Sequence, residues 1–437
     1  MKGNTKLLVI VGIIALFLLG WYTLISDSAD VASQYNEALK DARDKAKEGL
    51  YEDAADGYAK VLEMKDSLEI RGEQADTYKH SGNVRSYVSA CESMLEDYPT
   101  EKEGYVRLAE YYASVKNYTS LSETLQNANA RKIQDETLAH IKDIYQYEYE
   151  YTRLGFEEIG MISNGMCAVK RPEDQTWGYT SAKGNTKLSF IYQEANPFNT
   201  NGFAAVKDKE GYRFIDKNGR DKSIDHTGKN IEDVTFFTAD KVAVKYDGKY
   251  HYCDFSFKEL FGSFDYAGSF AGGIAAVKDG DNWYFIDESG NRLSDTVYED
   301  IKLDEKGIAF RNGAAIVKSG GEYFLVDNKE KKIGSDTYKD ADAFNSDQPA
   351  AVFDGSKWGY IDSTGKTVCE YKFSEARSFA NGFAAYREGD SWGYLDLKTF
   401  QTAIEPAFED AGDFSTSRSA FVKGNSGWDV IALYLSE

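Results

Sequence analysis

The chain has 437 residues, of which 51 are basic and 72 acidic, giving a formal net charge of −21. No basic stripe is present that could neutralise phosphates, so nucleic acid is not expected as a partner. The four cysteines and four histidines are scattered without metal-ligand spacing, which predicts buried free thiols, no metal and no cofactor. The sequence has no nucleophile elbow or phosphate loop, so we predict no catalytic residues and no enzyme.

The first predicted element is an apolar segment at residues 7–25, LLVIVGIIALFLLGWYTLI, which carries no charge over 19 residues. A helix of this length would cross a bilayer core of roughly 30 Å. Lysines precede the segment and aspartates follow it, which predicts that residues 1–6 are cytoplasmic and that the rest is extracytoplasmic. The sequence therefore predicts a single-pass cell-membrane protein that contacts the lipid bilayer through residues 7–25. A cleaved signal peptide is the alternative, although its apolar region is usually shorter.

Residues 31–155 are predicted to form an all-α domain, because apolar residues recur there at helical spacing. Gly49, Gly82 and Lys116 are placed at equivalent turns between helices, with steps of 33 and 34 residues. This period resembles tetratricopeptide (TPR) repeats, which implies a solenoid of helix pairs. Residues 135–153 are predicted to form a capping helix.

Residues 156–437 are predicted to form an all-β domain of about eight repeats, because an aromatic residue recurs there at steps of 33 to 40 residues. The eight positions are Trp177, Tyr212, Tyr250, Trp283, Tyr323, Trp358, Trp392 and Trp428. A short apolar tetrapeptide such as AAVK precedes each aromatic residue, with four intervening residues in seven copies and six in the first. A constant loop length predicts a hairpin, since loop length sets strand register. Asp four residues after the aromatic residue, often followed by Gly, predicts a type I turn.

The phrases at 356–366 and 391–399, SKWGYIDSTGK and SWGYLDLKT, resemble the bacterial WG-repeat (KWG) family. The Trp-Gly pair occurs only at 177–178, 358–359 and 392–393, so the resemblance depends on eight copies in register. It implies an array of β-units that bury their faces against one another, propeller-like in preference to an open β-solenoid, and a role in binding.

The eight aromatic residues are interpreted as core anchors, because strand alternation places their rings opposite small alanines. A ligand platform is the alternative interpretation. The Gly that follows Trp predicts a place where another backbone segment comes close.

Seven of the tetrapeptides end in a cation: Lys170, Lys207, Lys245, Lys278, Lys318, Arg387 and Lys423. Equivalent positions of a regular array lie on one face, so these side chains would form a row or a ring. Their stems could cover the neighbouring aromatic rings and keep the strand ends solvated. Alternatively, they could form an electropositive rim that binds an anionic wall polymer or an acidic partner, which is unexpected because the formal charge beyond residue 25 is −23.

Two repeat arrays in tandem offer large modular surfaces, which favours a membrane-anchored extracytoplasmic scaffold that binds other proteins. A module that binds cell-wall polymer or carbohydrate is the alternative, and it would need exposed aromatic residues around a concavity. An enzyme would need a convergent polar cluster, which the sequence does not show.

Overall fold

The computed structural model describes residues 31–225, 228–236 and 241–435. These residues form two units, which are described separately. The first unit runs to Glu148 and includes residues 434–435, and the second is Tyr149–Leu433.

The first unit is helical, with seven helices among its described residues. They are α1 (31–47), α2 (Tyr51–Met64), α3 (Leu68–Ser81), α4 (Val84–Asp97), α5 (Glu103–Ser114), α6 (Tyr118–Ala130) and α7 (Glu136–Tyr145). The prediction of a capping helix through residue 153 is wrong, because α7 ends at Tyr145 and a strand begins at Tyr149. Tyrosines alternate at 145, 147, 149 and 151, and this period of two suits a strand better than a helix.

Three helix pairs share one kind of turn. Gly49, Gly82 and Lys116 lie between α1 and α2, α3 and α4, and α5 and α6, with φ angles of +81°, +74° and +55°. In two of the turns the next residue, Asn83 or Asn117, caps the following helix by accepting a hydrogen bond from a backbone N–H at 3.2 Å. The sequence therefore places the three turns correctly.

The predicted transmembrane helix needs a correction. Residues 7–25 lie outside the described residues. Within the described part of the chain no helix is both long and apolar enough to span a bilayer. Helices α2 to α7 have at most 14 residues, whereas a span needs about 20. The single-pass topology, the contact with the bilayer and the cell-membrane localisation are therefore not supported.

The second unit is an eight-bladed β-propeller, which confirms the preferred fold of the β domain over an open solenoid. Blade 1 contains β2 (Glu158–Ser163), β3 (Met166–Lys170), β4 (Trp177–Ser181) and β5 (Thr186–Tyr192); blade 2 contains β6 (Glu194–Ala195), β7 (Phe203–Asp208), β8 (Gly211–Asp216) and β9 (Asp221–Ile224). Blade 3 contains β10 (Asp233–Val234), β11 (Val242–Tyr246), β12 (Lys249–Cys253) and β13 (Glu259–Phe264); blade 4 contains β14 (Tyr266–Ala267), β15 (Ile274–Asp279) and β16 (Asn282–Asp287).

The other half of the ring follows the same order. Blade 5 contains β17 (Asp300–Ile301), β18 (Ala314–Ser319), β19 (Glu322–Asp327) and β20 (Lys332–Tyr338); blade 6 contains β21 (Asp340–Ala341), β22 (Ala350–Phe353), β23 (Trp358–Ile361) and β24 (Thr367–Phe373). Blade 7 contains β25 (Glu375–Ala376), β26 (Phe383–Glu388), β27 (Ser391–Asp396) and β28 (Thr402–Phe408); blade 8 contains β29 (Asp410–Ala411), β30 (Ser419–Gly424), β31 (Gly427–Leu433) and β1 (Tyr149–Phe156).

The first strand of the unit closes the ring by completing the last blade. Strand β1 pairs antiparallel with β31. Asp429, which is buried, occupies the position of the WG glycine in blade 8. Its carboxylate accepts hydrogen bonds from Tyr151 Oη at 2.6 Å, Leu154 N at 2.7 Å and Gly155 N at 2.9 Å. These three bonds hold the closing strand, and they satisfy a carboxylate that would be costly to bury alone.

The core of the propeller lies between neighbouring blades. In five blades the residue two positions after the repeat aromatic packs against a Phe of the next blade, with ring centroids 4.7–4.9 Å apart and ring planes inclined by 50–79°. The pairs are Tyr179–Phe198, Tyr252–Phe270, Phe285–Phe310, Tyr360–Phe379 and Tyr394–Phe414. All four cysteines are buried and free, as predicted.

Candidate functional site

The eight repeat aromatics lie at or next to the start of the second hairpin strand of their blades. Tyr212, Tyr250, Tyr323 and Trp392 are buried, and the other four are half-buried. The most deeply buried ring is instead the one two residues later, as in Tyr179, Tyr360 and Tyr394, which have no exposed surface. This buried position, two residues after the repeat aromatic, was not predicted from the sequence.

The seven cations lie in register with an aromatic residue on one side, and six of them also face an acidic residue on the other. The six sets are Glu158–Lys170–Trp177, Glu194–Lys207–Tyr212, Asp233–Lys245–Tyr250, Asp300–Lys318–Tyr323, Glu375–Arg387–Trp392 and Asp410–Lys423–Trp428. In blade 4, Lys278 lies between Tyr266 and Trp283. Each cation of the six sets thus lies between an acidic residue and an aromatic residue of its own blade.

Most of the seven cations make ion pairs or ring contacts within their own blades. Lys170 and Lys207 lie 2.7 and 2.9 Å from the carboxylates of the first strand, and Arg387 makes a similar contact at 2.8 Å. The amines of Lys207 and Lys318 also lie 4.9 and 5.2 Å from the centres of the neighbouring tyrosine rings. This geometry favours the interpretation in which the stems of the cations cover the neighbouring aromatic rings. The anion-binding rim stays a prediction.

In the three blades that contain a WG glycine, the outer strand bulges over the second hairpin strand beside that glycine; the outer strands of blades 3 and 5 also bulge, although those blades have no glycine there. A Cβ on Gly178, Gly359 or Gly393 would lie 2.8, 2.9 or 2.5 Å from the nearest atom of the outer strand. In each blade with a WG glycine, two residues that are two positions apart on the second hairpin strand pair with residues that are four positions apart on the outer strand. In blade 6 these outer-strand partners are Phe373 and Cys369. The predicted close backbone approach is confirmed at these positions.

One loop departs from the repeat and enters the centre of the ring. The connection between the first two strands of blade 5 covers residues 302–313, whereas that of blade 2 covers only 196–202. The extra length contains Asp304, Glu305 and Lys306. Its signal in the sequence is the step of 40 residues from the repeat aromatic of blade 4 to that of blade 5, the largest of the series.

Hydrogen bonds hold this loop in one conformation. The carboxylate of Asp304 accepts bonds from the backbone N–H groups of Lys306 and Ile308, both at 2.9 Å, and pairs with Arg311. Ser269 Oγ lies 2.6 Å from the carbonyl oxygen of Lys306, and Ser269 N donates to the carbonyl of the following glycine at 2.8 Å. The loop is therefore fixed against blade 4 as well as within itself.

Two cavities, of about 510 and about 50 Å³, form the central channel, because both are lined by Met161, Glu305 and Lys306. Their other lining residues come from all eight blades, with Tyr250 and Tyr266 in the larger cavity. The side chains of Glu305 and Lys306 form no hydrogen bond or ion pair with the described residues. Glu305 is accessible to solvent inside the channel although protein surrounds it.

A second carboxylate of the channel, Asp413, comes from blade 8. It accepts a hydrogen bond from the amide of Asn345, which reaches it from blade 6. Burial, together with the charges of Glu305 and Asp342, raises the pKa of Asp413 well above its ordinary value. Loss of hydration and the nearby charges of Asp304 and Asp342 likewise raise the pKa of Glu305 against the opposing charge of Arg377.

The helical unit has a groove of its own. A cavity of about 790 Å³ is lined by residues of α6 and α7, such as Leu125 and Leu138, and by Leu435. Ser122 Oγ donates a hydrogen bond to the carbonyl oxygen of Tyr434 at one side of this groove. The groove is partly apolar, and residues of this chain occupy part of it.

Four segments of the chain match the family described as WG containing repeat: residues 177–212, 263–283, 358–392 and 392–426. The propeller contains WG repeats. Three of the matched segments begin at a repeat aromatic, so the WG-repeat unit spans from one anchor to the region of the next. No curated protein sequence matches the chain.

The solved structures that match the chain resemble it only distantly. Hsv2 of Kluyveromyces lactis is 10% identical, with 61% of this chain and 92% of that chain covered and a TM-score of 0.36. The β-propeller domain of Cps50 (Swd1) from Myceliophteria thermophila is 11% identical over 57% and 98% of the two chains, at a TM-score of 0.34. PorZ of Porphyromonas gingivalis, a surface component of the type-IX secretion system, is 13% identical over 62% and 45%, at 0.33. At these TM-scores the fold assignment depends on the strand pairing of this chain alone.

Proposed function

We propose that this protein is a non-enzymatic scaffold that binds other proteins, and that the mouth of the central channel of its WG-repeat propeller is a binding surface. The observation that carries the proposal is the central channel. Loops from eight repeats surround it, and the side chains of Glu305 and Lys306 extend into it without a partner among the described residues. Ligand sites are concave and combine apolar walls with a few placed polar groups, and this channel has both.

The helical unit is proposed as a second binding array. Its three helix pairs repeat the same left-handed turn, which supports the resemblance to TPR repeats. The partly apolar groove beside α6 and α7 is the surface in this unit that a partner segment would enter. Binding of an anionic wall polymer is not favoured, since six of the seven cations that would bind it make ion pairs or ring contacts inside their blades.

Site-directed photocrosslinking tests the proposal. A benzoylphenylalanine at position 306 places the crosslinker in the channel, and one at Lys187, an exposed residue of the outer strand of blade 1, serves as the control. We expect discrete crosslinked proteins from intact cells at position 306 and a much weaker pattern at position 187. Equal patterns at the two positions, or none at 306, would show that the channel mouth is not a binding surface.

A further inference from the structure

We propose that the central channel binds the cationic side chain of a lysine or arginine presented by a protein partner. This inference rests on the proposed scaffold function and names the chemistry that the partner must present. The larger cavity, of about 510 Å³, has room for one long side chain. Tyr250 and Tyr266 in its wall offer aromatic surface to a cation.

The balance of charge in the channel points to a cation. Asp304 is paired with Arg311, and Arg377 is paired with Asp410 at 2.8 Å, so these groups neutralise each other. Of the remaining carboxylates, Glu305 lines both cavities and Asp413 lines the smaller one, while Asp342 lies close enough for its charge to act on both carboxylates. Asp233 lines the larger cavity and accepts a hydrogen bond from Tyr250 Oη at 2.6 Å. Lys306 supplies the single amine among the lining residues of the two cavities. An incoming ammonium or guanidinium group would relieve this repulsion.

Glu305 is the group that would receive the cation. Asp342 already accepts a backbone hydrogen bond from Ser378 at 2.8 Å, and Asp413 accepts one from Asn345. Glu305 has no such bond among the described residues and is reached by solvent. A carboxylate held by a rigid loop loses little freedom on binding, which favours affinity.

A metal ion is a poorer occupant. Among the described residues no group of three or more His, Cys, Asp or Glu side chains is arranged to hold one. A single free carboxylate beside tyrosine rings suits a bidentate guanidinium or an ammonium group instead.

The test follows the methyl resonance of Met161 by NMR in the intact chain labelled at methionine methyl groups. Met161 lines both cavities, and Met64, which is 47% exposed on α2, serves as an internal control. The probes are the blocked tripeptides Ala-Arg-Ala, Ala-Lys-Ala, Ala-Glu-Ala and Ala-Ala-Ala, with 1,4-diaminobutane as a free amine. We expect the two cationic peptides to shift Met161 but not Met64, and salt to weaken the effect.

Two channel variants and one matched control sharpen the result. Glu305→Gln should weaken peptide binding by about tenfold or more, because it removes a charge-assisted bond. Lys306→Gln should strengthen it by about twofold to fivefold, since it removes the competing cation. Glu288→Gln, at an exposed turn of blade 4, should leave it unchanged. The opposite signs of the two channel variants separate a binding effect from a loss of folding.

Four outcomes would overturn the inference. Equal shifts with Ala-Ala-Ala, or undiminished binding to Glu305→Gln, would rule out a cation site. Binding of 1,4-diaminobutane without binding of either cationic peptide would assign the channel to free amines. If crosslinking at position 306 captures the same proteins in the Glu305→Gln variant, the scaffold stands and the cation site fails. If the peptides bind but no protein is crosslinked, the scaffold fails instead.

Discussion

Blades 5 and 6 are neighbours with the same strand order, but they differ in the residue at the WG glycine position and in the length of the connection between their first two strands. The outer strand is bulged in both blades. Blade 6 has Gly359 under this bulge and a short connection at 342–349. Blade 5 has Phe324 at the position of that glycine and a long connection at 302–313 that enters the channel. The residues shared by the WG repeats therefore pack strands and blades together. The segment that differs from the repeat, the long connection of blade 5, supplies side chains of the channel.

The largest expected effect separates the two aromatic positions of blade 6. Tyr360 is fully buried and packs against Phe379 with ring centroids 4.8 Å apart, while Trp358 is half-buried. We expect Tyr360→Ala to lower the free energy of unfolding by about 3–5 kcal/mol, and Trp358→Ala by less. Denaturant unfolding measures both. A larger loss for Trp358→Ala would show that the tryptophan is the true anchor of the repeat.

The second largest effect on stability is expected at the WG glycine under the bulge of blade 6. A Cβ on Gly359 would lie 2.9 Å from the carbonyl oxygen of Cys369, so Gly359→Ala should cost about 1–3 kcal/mol. The control is Gly160→Ala, whose Cβ would have its nearest neighbour at an ordinary 3.6 Å. We expect the control to be nearly neutral in thermal unfolding. Similar losses for both variants would mean that the bulge does not explain the glycine.

The hydroxyl of the buried tyrosine gives a smaller effect that differs between blades. Tyr394 Oη donates to the carbonyl oxygen of Gly412 at 2.8 Å, whereas the buried hydroxyl of Tyr360 has no hydrogen-bond partner among the described residues. Tyr394→Phe should therefore cost about 1 kcal/mol, and Tyr360→Phe should be neutral or stabilising. Denaturation midpoints of the two variants test this, and equal losses would contradict it.

The smallest expected effect compares two carboxylates by their pH dependence. The pKa of Asp413 is raised by burial and like charges, so ionised Asp413 destabilises the fold, and Asp413→Asn should raise the melting temperature at neutral pH. This gain should shrink as the pH falls below the raised pKa and should disappear below the ordinary pKa of an Asp, where the unfolded chain is neutral at this position as well.

Asp327 in a turn of blade 5 should show the opposite sign. Backbone hydrogen bonds from Lys331 and Lys329 lower its pKa, so its stabilising contribution is present at neutral pH and is lost on acidification. Asp327→Asn should therefore lower the melting temperature at neutral pH, with the difference closing in acid. Melting curves over a pH series that show the same sign for both variants would contradict the assignment.

Much of the fold could be predicted because its rules are local. Constant loops between the tetrapeptide and the aromatic residue set the register of each hairpin, and a period near 36 residues indicates β-units that pack on one another. The left-handed turns at Gly49 and Gly82 follow in the same way, since glycine adopts positive φ without strain. The predicted capping helix was wrong: the alternating tyrosines are the local sign of a strand, but the partner of residues 149–156 lies some 280 residues later in the chain, where no local pattern can show it.

The sequence by itself determined the repeat, its hairpins, its turns and the close approach over the WG glycine, because each depends on residues near one another in the chain. The tertiary structure alone decided that the ring closes at eight blades through β1 and Asp429. It also brought Glu305 and Asp413 together in the channel with Asp342 close by, although they come from three different repeats. The distances between these carboxylates are set by ring closure, which depends on the packing of all eight blades. The spacing of residues along the chain does not show the combined result of so many contacts.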